Sequence, residues 1–251
     1  KDIGFAGLKD KKAVTKQYIS IYRANKSAVE RLKLDRIELE YVGNGENRIN
    51  LGNLIYNKFK IVVRNLNKRN KLTNKLFKNY FDKQRFGINN NNHLIGKHIV
   101  KKEFREACKV LNLDVVNNDY INALRNLNKR KLRLYISAYQ SYIFNKVLKN
   151  LDFKCNKLPI LGFITEFKSN KIKRLYETVI RDEGIRKEDF IIKQMPELSA
   201  EGSERNAYEK AIDFKYEYKD DEMFNGKYKA ILEFKLNPGA YATYFVKSLF
   251  S

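Results

Sequence analysis

Sulfur and imidazole are scarce in this chain, with two cysteines, two methionines and two histidines among 251 residues. Cys108 and Cys155 stand far apart, without the CxxC spacing that zinc or redox chemistry uses, so they read as buried thiols of a protein in a reducing cytoplasm. His93 and His98 lie beside a run of asparagines with no acidic or thiol ligand at useful spacing, which argues against a metal centre. As loop histidines they are expected to be exposed. Long apolar runs are missing too: nothing reaches the length of a membrane span, and neither a signal peptide nor a lipidation motif is recognisable. Negative charge is the last shortage. Against 51 Lys and Arg stand 29 Asp and Glu, a formal net charge of +22, so a polyanion is the natural partner and nucleic acid the favoured one.

What is present suffices for a real core, since 43% of the residues are hydrophobic. Charge is uneven: residues 1–87 carry 21 basic and 8 acidic side chains, residues 88–212 carry 24 and 15, and residues 213–251 carry 6 of each. The amino-terminal third is therefore where an anion should lie. The chain opens on Lys1 and runs at once into a strand-like segment, so residues are expected to precede it. IGFAGL and AVTKQYISIYR read as two β-like runs joined by a KDKK turn, the second alternating from Val14 to Tyr22. FKIVVR (59–64) and KYKAILEFKL (227–236) read as strands, the latter with Tyr228, Ala230, Leu232, Phe234 and Leu236 on one face. KRNKLTNKLFKNY, KKEFREACKVLNL and RLYISAYQSYIFNKVLKNL have helical spacing, and YATYFVKSLF reads as a short helix after the Asn237-Pro238-Gly239 turn. The tract INNNNH (88–93) and a composition change near residues 204–214 bound a mostly helical block. Strands at both ends with helices between imply one β-rich α/β (α+β) core, residues 1–88 plus 212–251, interrupted by an insertion of residues 89–211.

Asp10 is a lone acid among Lys9, Lys11, Lys12 and Lys16. Taken alone, such a turn is ordinary solvated chain, because Asp favours turns and lysine favours water. A second segment, NYFDKQRFG (79–87), interleaves Tyr80, Phe81 and Phe86 with Lys83, Gln84 and Arg85: rings that can stack on a base, cations for phosphates and an amide for base edges. A third, LNPGAYATYF, sets Tyr241 just beyond a Pro-Gly turn.

In order along the chain, GFAGLKDKKAVTKQ, LGNLIYNKFKIVVR, NYFDKQRFG, RLYISAYQSYIFN, LPILGFIT, EGSERNAY and LNPGAYAT closely resemble the TruD family of transfer-RNA pseudouridine synthases. The resemblance implies a pseudouridine-synthase-type mixed or antiparallel sheet core with an inserted, helix-rich TRUD domain. It further implies isomerisation of uridine to pseudouridine without cofactor or metal, transfer RNA as partner, and the uridine conventionally numbered 13 as target. By the same resemblance Asp10 is the catalytic carboxylate, acting either as a nucleophile on the nucleoside or as a base towards the sugar; both routes stay open. Asn79, Phe81 and Tyr241 are then pocket residues, with Lys9 and Arg85 beside the substrate, and Lys11, Lys12, Lys16, Lys83 and Arg205 are candidate RNA contacts. Arg205 reads equally as the cap of a structural turn. Tyr139 and Gln140 also fall in resembling motifs, although the rings of YISAYQSYIF have the spacing of helix packing.

The lysines have a physical role in this reading. A substrate-covered pocket raises the pKa of a carboxylate, whereas nearby cations lower it and also hold phosphates. The sequence departs from the family in three places. Tyr241 stands where relatives carry Phe. Asp82 stands where many carry Gly, which bears on the local backbone because Asp tolerates positive φ less well. The relatives' leading segment, with its Lys and PEDF-like strand, has no match, which leaves Lys9 as the nearest basic partner. The rival readings are a non-catalytic RNA-binding protein or RNA chaperone on the same scaffold, and a basic ribosome-associated structural protein.

Overall fold

The computed structural model describes residues 3–10 and 13–250, and the chain divides into two compact units, residues 1–58 and 59–251. In the first, β1 (Ile3–Phe5) pairs antiparallel with β2 (Ile19–Ile21), Ile3 opposite Ile21 and Phe5 opposite Ile19. The connection between them carries Asp10, as the hairpin reading expected. The alternation from Val14 to Tyr22 yields only three paired residues, because β1 offers only three partners; Val14 and Tyr18 are exposed. A short helix, α1 (Lys26–Glu30), starts where the Asn25 side chain accepts the Ala28 N–H at 2.8 Å. Residues 48–52 run beside β1, with the Arg48 guanidinium donating to the Ile3 carbonyl at 3.0 Å and the Gly52 N–H to the Ala6 carbonyl at 2.9 Å. They approach so closely that a Cβ at Gly4 would lie 2.3 Å from the Ile49 carbonyl oxygen.

The second unit continues β3 (Asn57–Leu66) and then runs through β4 (Phe77–Lys78), α2 (Asn92–Val100), α3 (Phe104–Val110), α4 (Tyr120–Arg125), α5 (Lys129–Lys149), β5 (Lys157–Ile160), α6 (Asn170–Glu183), β6 (Ser203–Asn206), β7 (Tyr208–Glu209), β8 (Ile212–Asp220), β9 (Tyr228–Leu236) and α7 (Ala242–Leu249). β9 is the centre of a sheet ordered β3-β9-β8 and pairs antiparallel with β8. Its even-numbered residues from Ala230 to Leu236 are buried, the alternation expected of a strand covered on one side. α7 covers that face: the Phe245 ring lies 4.6 Å from Phe234, 5.3 Å from Phe214 and 5.6 Å from Phe77. The remaining pairs, β4 with β7 and β5 with β6, are antiparallel.

α5 organises a separate apolar cluster. It starts where the Asn128 side chain accepts the Arg130 N–H, and Leu132, Tyr135, Ile136, Tyr139, Ile143, Phe144, Val147 and Leu148 recur on its buried face. Burying each large apolar side chain contributes roughly 1.5–3 kcal/mol. α2 crosses α5 at Gly96, where a Cβ would lie 2.1 Å from the Tyr135 carbonyl oxygen, so no larger residue permits this approach. The far end of α5 is fastened to β4: Lys78 Nζ donates to the carbonyls of Leu148, Lys149 and Leu151 at 2.8, 3.2 and 3.2 Å, neutralising the negative end of the helix.

Three expectations are corrected. KRNKLTNKLFKNY is not helical. Residues 69–76 have no regular secondary structure and lie beside β8 and the residue before it, with the Asn70 carbonyl accepting from the Tyr218 hydroxyl and Asn74 Nδ2 donating to the Ala211 carbonyl. Leu72 and Phe77 both enter the sheet core, so tertiary contacts override a weak helical spacing in an Asn- and Lys-rich stretch. His93 and His98 sit on α2 rather than in an exposed loop. His93 is half-buried, stacked on Tyr142 at 4.6 Å, and His98 Nδ1 lies 2.7 Å from a Glu103 carboxylate oxygen. Of the two thiols only Cys108 is buried; Cys155 is half-exposed. Among the described residues no helix is long and apolar enough to cross a membrane.

Candidate active site

The second unit brings four of the motif residues together around one guanidinium. Arg205, on β6, places its guanidinium carbon 4.0 Å from the centroid of the Phe81 ring. One terminal nitrogen donates to Asn79 Oδ1 at 2.7 Å and to the Gly239 carbonyl at 2.8 Å, while Nε donates to the Asn79 carbonyl at 3.2 Å. This fork ties the NYFDKQRFG segment to the turn after β9. No carboxylate pairs with it among the described residues, and burial pushes the guanidinium down to about 10, against a partial rise from Tyr241 and Glu209. Asn79 is 3% exposed and fully oriented, since its Nδ2 donates to the Asn206 carbonyl at 3.0 Å.

Phe81 is held from the helical side. Asn145 of α5 accepts the Phe81 N–H and donates to the Phe81 carbonyl, both at 2.9 Å, and the Phe144 ring meets Phe81 edge-on at 5.5 Å. The Tyr241 ring also meets Phe81 edge-on, at 6.4 Å. Burial raises the Tyr241 phenol, against a lowering by Arg85 and Arg205. Arg85 donates through Nε to the Ser141 hydroxyl at 3.3 Å. Asp82, where a positive φ was in question, is extended at φ −80°; its carboxylate accepts the Lys83 N–H and the Thr243 hydroxyl. The Phe81 ring is 8% exposed and already covered by the guanidinium.

A cleft of about 490 Å³ opens over this cluster, lined by Asn79, Phe81, Arg85, Gln140, Ser141 and Arg205 among others. Its wall is fixed by a residue the motifs did not single out. Glu209, buried, accepts from Asn206 Nδ2 and Asn237 Nδ2, each at 2.9 Å, and so anchors the turn that leads to Tyr241. Asn145 and Ser141 were also missed. The available signal was polar side chains recurring on the buried face of an otherwise apolar helix. A second depression of about 410 Å³, beside Phe153 and Lys171, contains none of the motif residues.

Asp10, Lys9 and Lys16 belong to the unit of residues 1–58. Asp10 is exposed and has no hydrogen-bond or ion-pair partner among the described residues. Lys9 Nζ donates to Asn57 Oδ1 at 3.2 Å and Lys16 Nζ lies 3.4 Å from Glu40, so neither clasps the acid. Lys11 and Lys12 lie outside the described residues. Lys83 is exposed.

An aromatic and arginine floor under a polar cleft, on a strongly basic α/β scaffold, defines a class of proteins that can hold a base and its phosphates. Three comparisons narrow the class. The sequence model of tRNA pseudouridine synthase D (TruD) matches residues 1–115, 110–156 and 152–249. Two curated relatives named probable tRNA pseudouridine synthase D are similar over nearly the whole chain: that of Methanosarcina mazei is 28% identical over 97% of this chain and 79% of its own length, and that of Nanoarchaeum equitans 29% over 99% and 79%. A crystal structure described as a putative tRNA pseudouridine synthase D from Methanosarcina mazei superposes with a TM-score of 0.78 at 24% identity, covering 99% of this chain and 80% of that one. The chain belongs to the TruD family of pseudouridine synthases. It is therefore an isomerase of the pseudouridine-forming type.

Proposed function

We propose that the chain converts uridine 13 of transfer RNA to pseudouridine, with Asp10 as the catalytic carboxylate and Asn79, Phe81, Arg85 and Tyr241 holding the extruded base. The observation that carries this reading is the cleft above the Asn79–Arg205–Phe81 cluster, whose volume falls within the roughly 300–1,000 Å³ of small-ligand pockets. The oriented Asn79 amide still has one N–H and one lone pair to offer a uracil edge. A uridine inside a folded RNA must leave its stack to reach such a cleft, and the rings and guanidinium supply replacement contacts.

The reaction breaks the C1′–N1 bond, turns the uracil and joins C5 to C1′, with N1 gaining a proton and C5 losing one. Asp10 serves as nucleophile at C1′ or as base towards the sugar, and its motif supports either route. Its exposure in the 1–58 unit suits a group that meets substrate rather than one fixed in a core. We propose further that residues 89–211 form the inserted domain. All of the α5-centred cluster but Phe81 and Phe86 falls within those residues, and all of the β9-centred one but Ala211 falls outside them, which supports that division.

The test is pseudouridine mapping in transfer RNA incubated with the wild-type chain and with Asp10→Asn. The wild type should modify one site, and the variant should give no product while binding RNA nearly as well. Product from the variant would remove Asp10 from the mechanism. Binding without product from the wild type would favour the non-catalytic RNA-binding alternative.

A further inference from the structure

The cleft has one wall on α5, where Ser137, Gln140 and Ser141 line it. Helical spacing places Leu134, Arg133 and Arg130 on that same face, three, four and seven residues before Ser137. Along the helix axis Arg133 lies about 6 Å and Arg130 about 10 Å beyond Ser137. Burial falls away in that direction: Gln140 and Ser141 are buried, Ser137 is intermediate, and Leu134, Arg133 and Arg130 are exposed. The strip is a ramp leading out of the cleft.

Its cations are uncommitted. Arg133 uses only Nε, which donates to the Glu197 carbonyl at 3.2 Å, and Arg130 has no side-chain partner among the described residues. Some arginines of the same unit find acids, as Arg64 does with Asp221 at 2.7 Å and Glu222 at 2.9 Å and Arg69 with Asp220 at 2.8 Å, whereas Arg130, Arg133 and, inside the cleft, Arg205 pair with no carboxylate among the described residues. Helix stability does not explain the arrangement. Arg130 stands in the first turn of α5, between Lys129 and Lys131 and with no acidic residue in that turn, where the helix dipole disfavours positive charge.

We infer that Arg130 and Arg133 bind the phosphates of the RNA strand on one side of the nucleotide held in the cleft. This rests on the cleft being the nucleotide site. Planar guanidinium forks suit phosphate oxygens, and an unpaired pair leading out of a base-sized cleft suits a continuous polyanion better than an isolated ion. An acidic protein surface is the competing partner.

The experiment measures equilibrium binding of transfer RNA across a salt series for the wild-type chain, Arg130→Gln/Arg133→Gln, Arg130→Lys/Arg133→Lys, and a control of equal charge loss at the other end of α5 and beyond, Lys149→Gln/Lys154→Gln. Loss of two phosphate contacts should flatten the plot of log affinity against log salt by about 1.4–1.8. At saturating RNA, turnover should hold while KM rises several-fold. The lysine pair should keep most of the slope, and its result stands even if the glutamine pair folds poorly. An unchanged slope in the glutamine pair, or equal flattening in the control, overturns the inference. Wild-type pseudouridine formation is scored separately: product with an unchanged slope removes only the strip, and a flattened slope without product removes only the enzymatic reading.

Discussion

The unit bearing Asp10 and the unit bearing the cleft are held together by different forces. Among the described residues of 1–58 only Gly4 is buried, and Leu8, beside the acid, is 90% exposed. That unit rests on a short ladder, the Arg48 and Gly52 hydrogen bonds and a helix cap. Residues 59–251 instead hold two apolar clusters, and every motif side chain at the cleft is backed by one of them or by a buried hydrogen bond. The difference teaches that a pocket must be rigid to orient a base, whereas a carboxylate on a loop can be positioned by its substrate.

The sharpest way to break this comparison is truncation on each side of it. Phe144→Ala should cost about 3–5 kcal/mol, because it opens a cavity where α5 supports Phe81. Leu8→Ala should stay within about 0.5 kcal/mol. Denaturant titration of both variants checks this, and a cost for Leu8→Ala above about 1 kcal/mol would show that the first unit buries it in solution. Next in size is Arg205→Met, which keeps the bulk but leaves the Asn79 and Gly239 oxygens without their donor. The expected loss is about 1–3 kcal/mol of stability, together with at least a tenfold fall in pseudouridine formation at saturating RNA. Arg205→Lys restores the charge without the fork, so it should recover stability better than rate. Equal recovery of both would make Arg205 a latch only. Gly4→Val should act locally: hydrogen exchange should speed up in β1, β2 and residues 48–52 while α5 keeps its protection. Loosening of α5 in the same experiment would count against two separately held units.

These forces also decide what could be read from the sequence. β9 was legible because a single period runs through it and one face is buried; α5 was legible from apolar residues at helical steps, although it is buried on more than one side and Leu134 is exposed. The helix after Asn237-Pro238-Gly239 followed from its turn chemistry. The stretch from Lys68 to Tyr80 was misread because its apolar residues, Leu72, Leu76 and Phe77, are too sparse to fix a period, and hydrogen bonds from β8 decide its path. The site divides similarly. Asn79, Phe81, Arg85 and Tyr241 were visible as motif residues. The fork that assembles them was not, since Arg205 and Asn79 are 126 positions apart and nothing local in EGSERNAY says which oxygens its arginine meets. Glu209 was hidden for the same reason: a carboxylate held by two asparagine amides has no spacing of its own.

The smallest expected effect concerns a charge buried among helices. Glu183 of α6 accepts from Lys97 Nζ at 2.8 Å and from Lys146 Nζ, with the Tyr139 hydroxyl at 3.4 Å. Burial by itself would raise this carboxyl, but the two lysine hydrogen bonds outweigh it and hold the group below its ordinary 4.5. A carboxylate depressed in the folded state contributes stability that is complete above its unfolded value and is lost as pH falls through the folded one. Wild-type stability should therefore decline between about pH 5 and pH 3 more steeply than that of Glu183→Gln, which has no proton to take up there. Thermal melts of both proteins across that range test it: the gap between them should be widest near neutrality and narrow with acid. A gap that stays constant would mean that Lys97 and Lys146 do not hold the carboxylate ionised, and that α2, α5 and α6 are joined by packing alone.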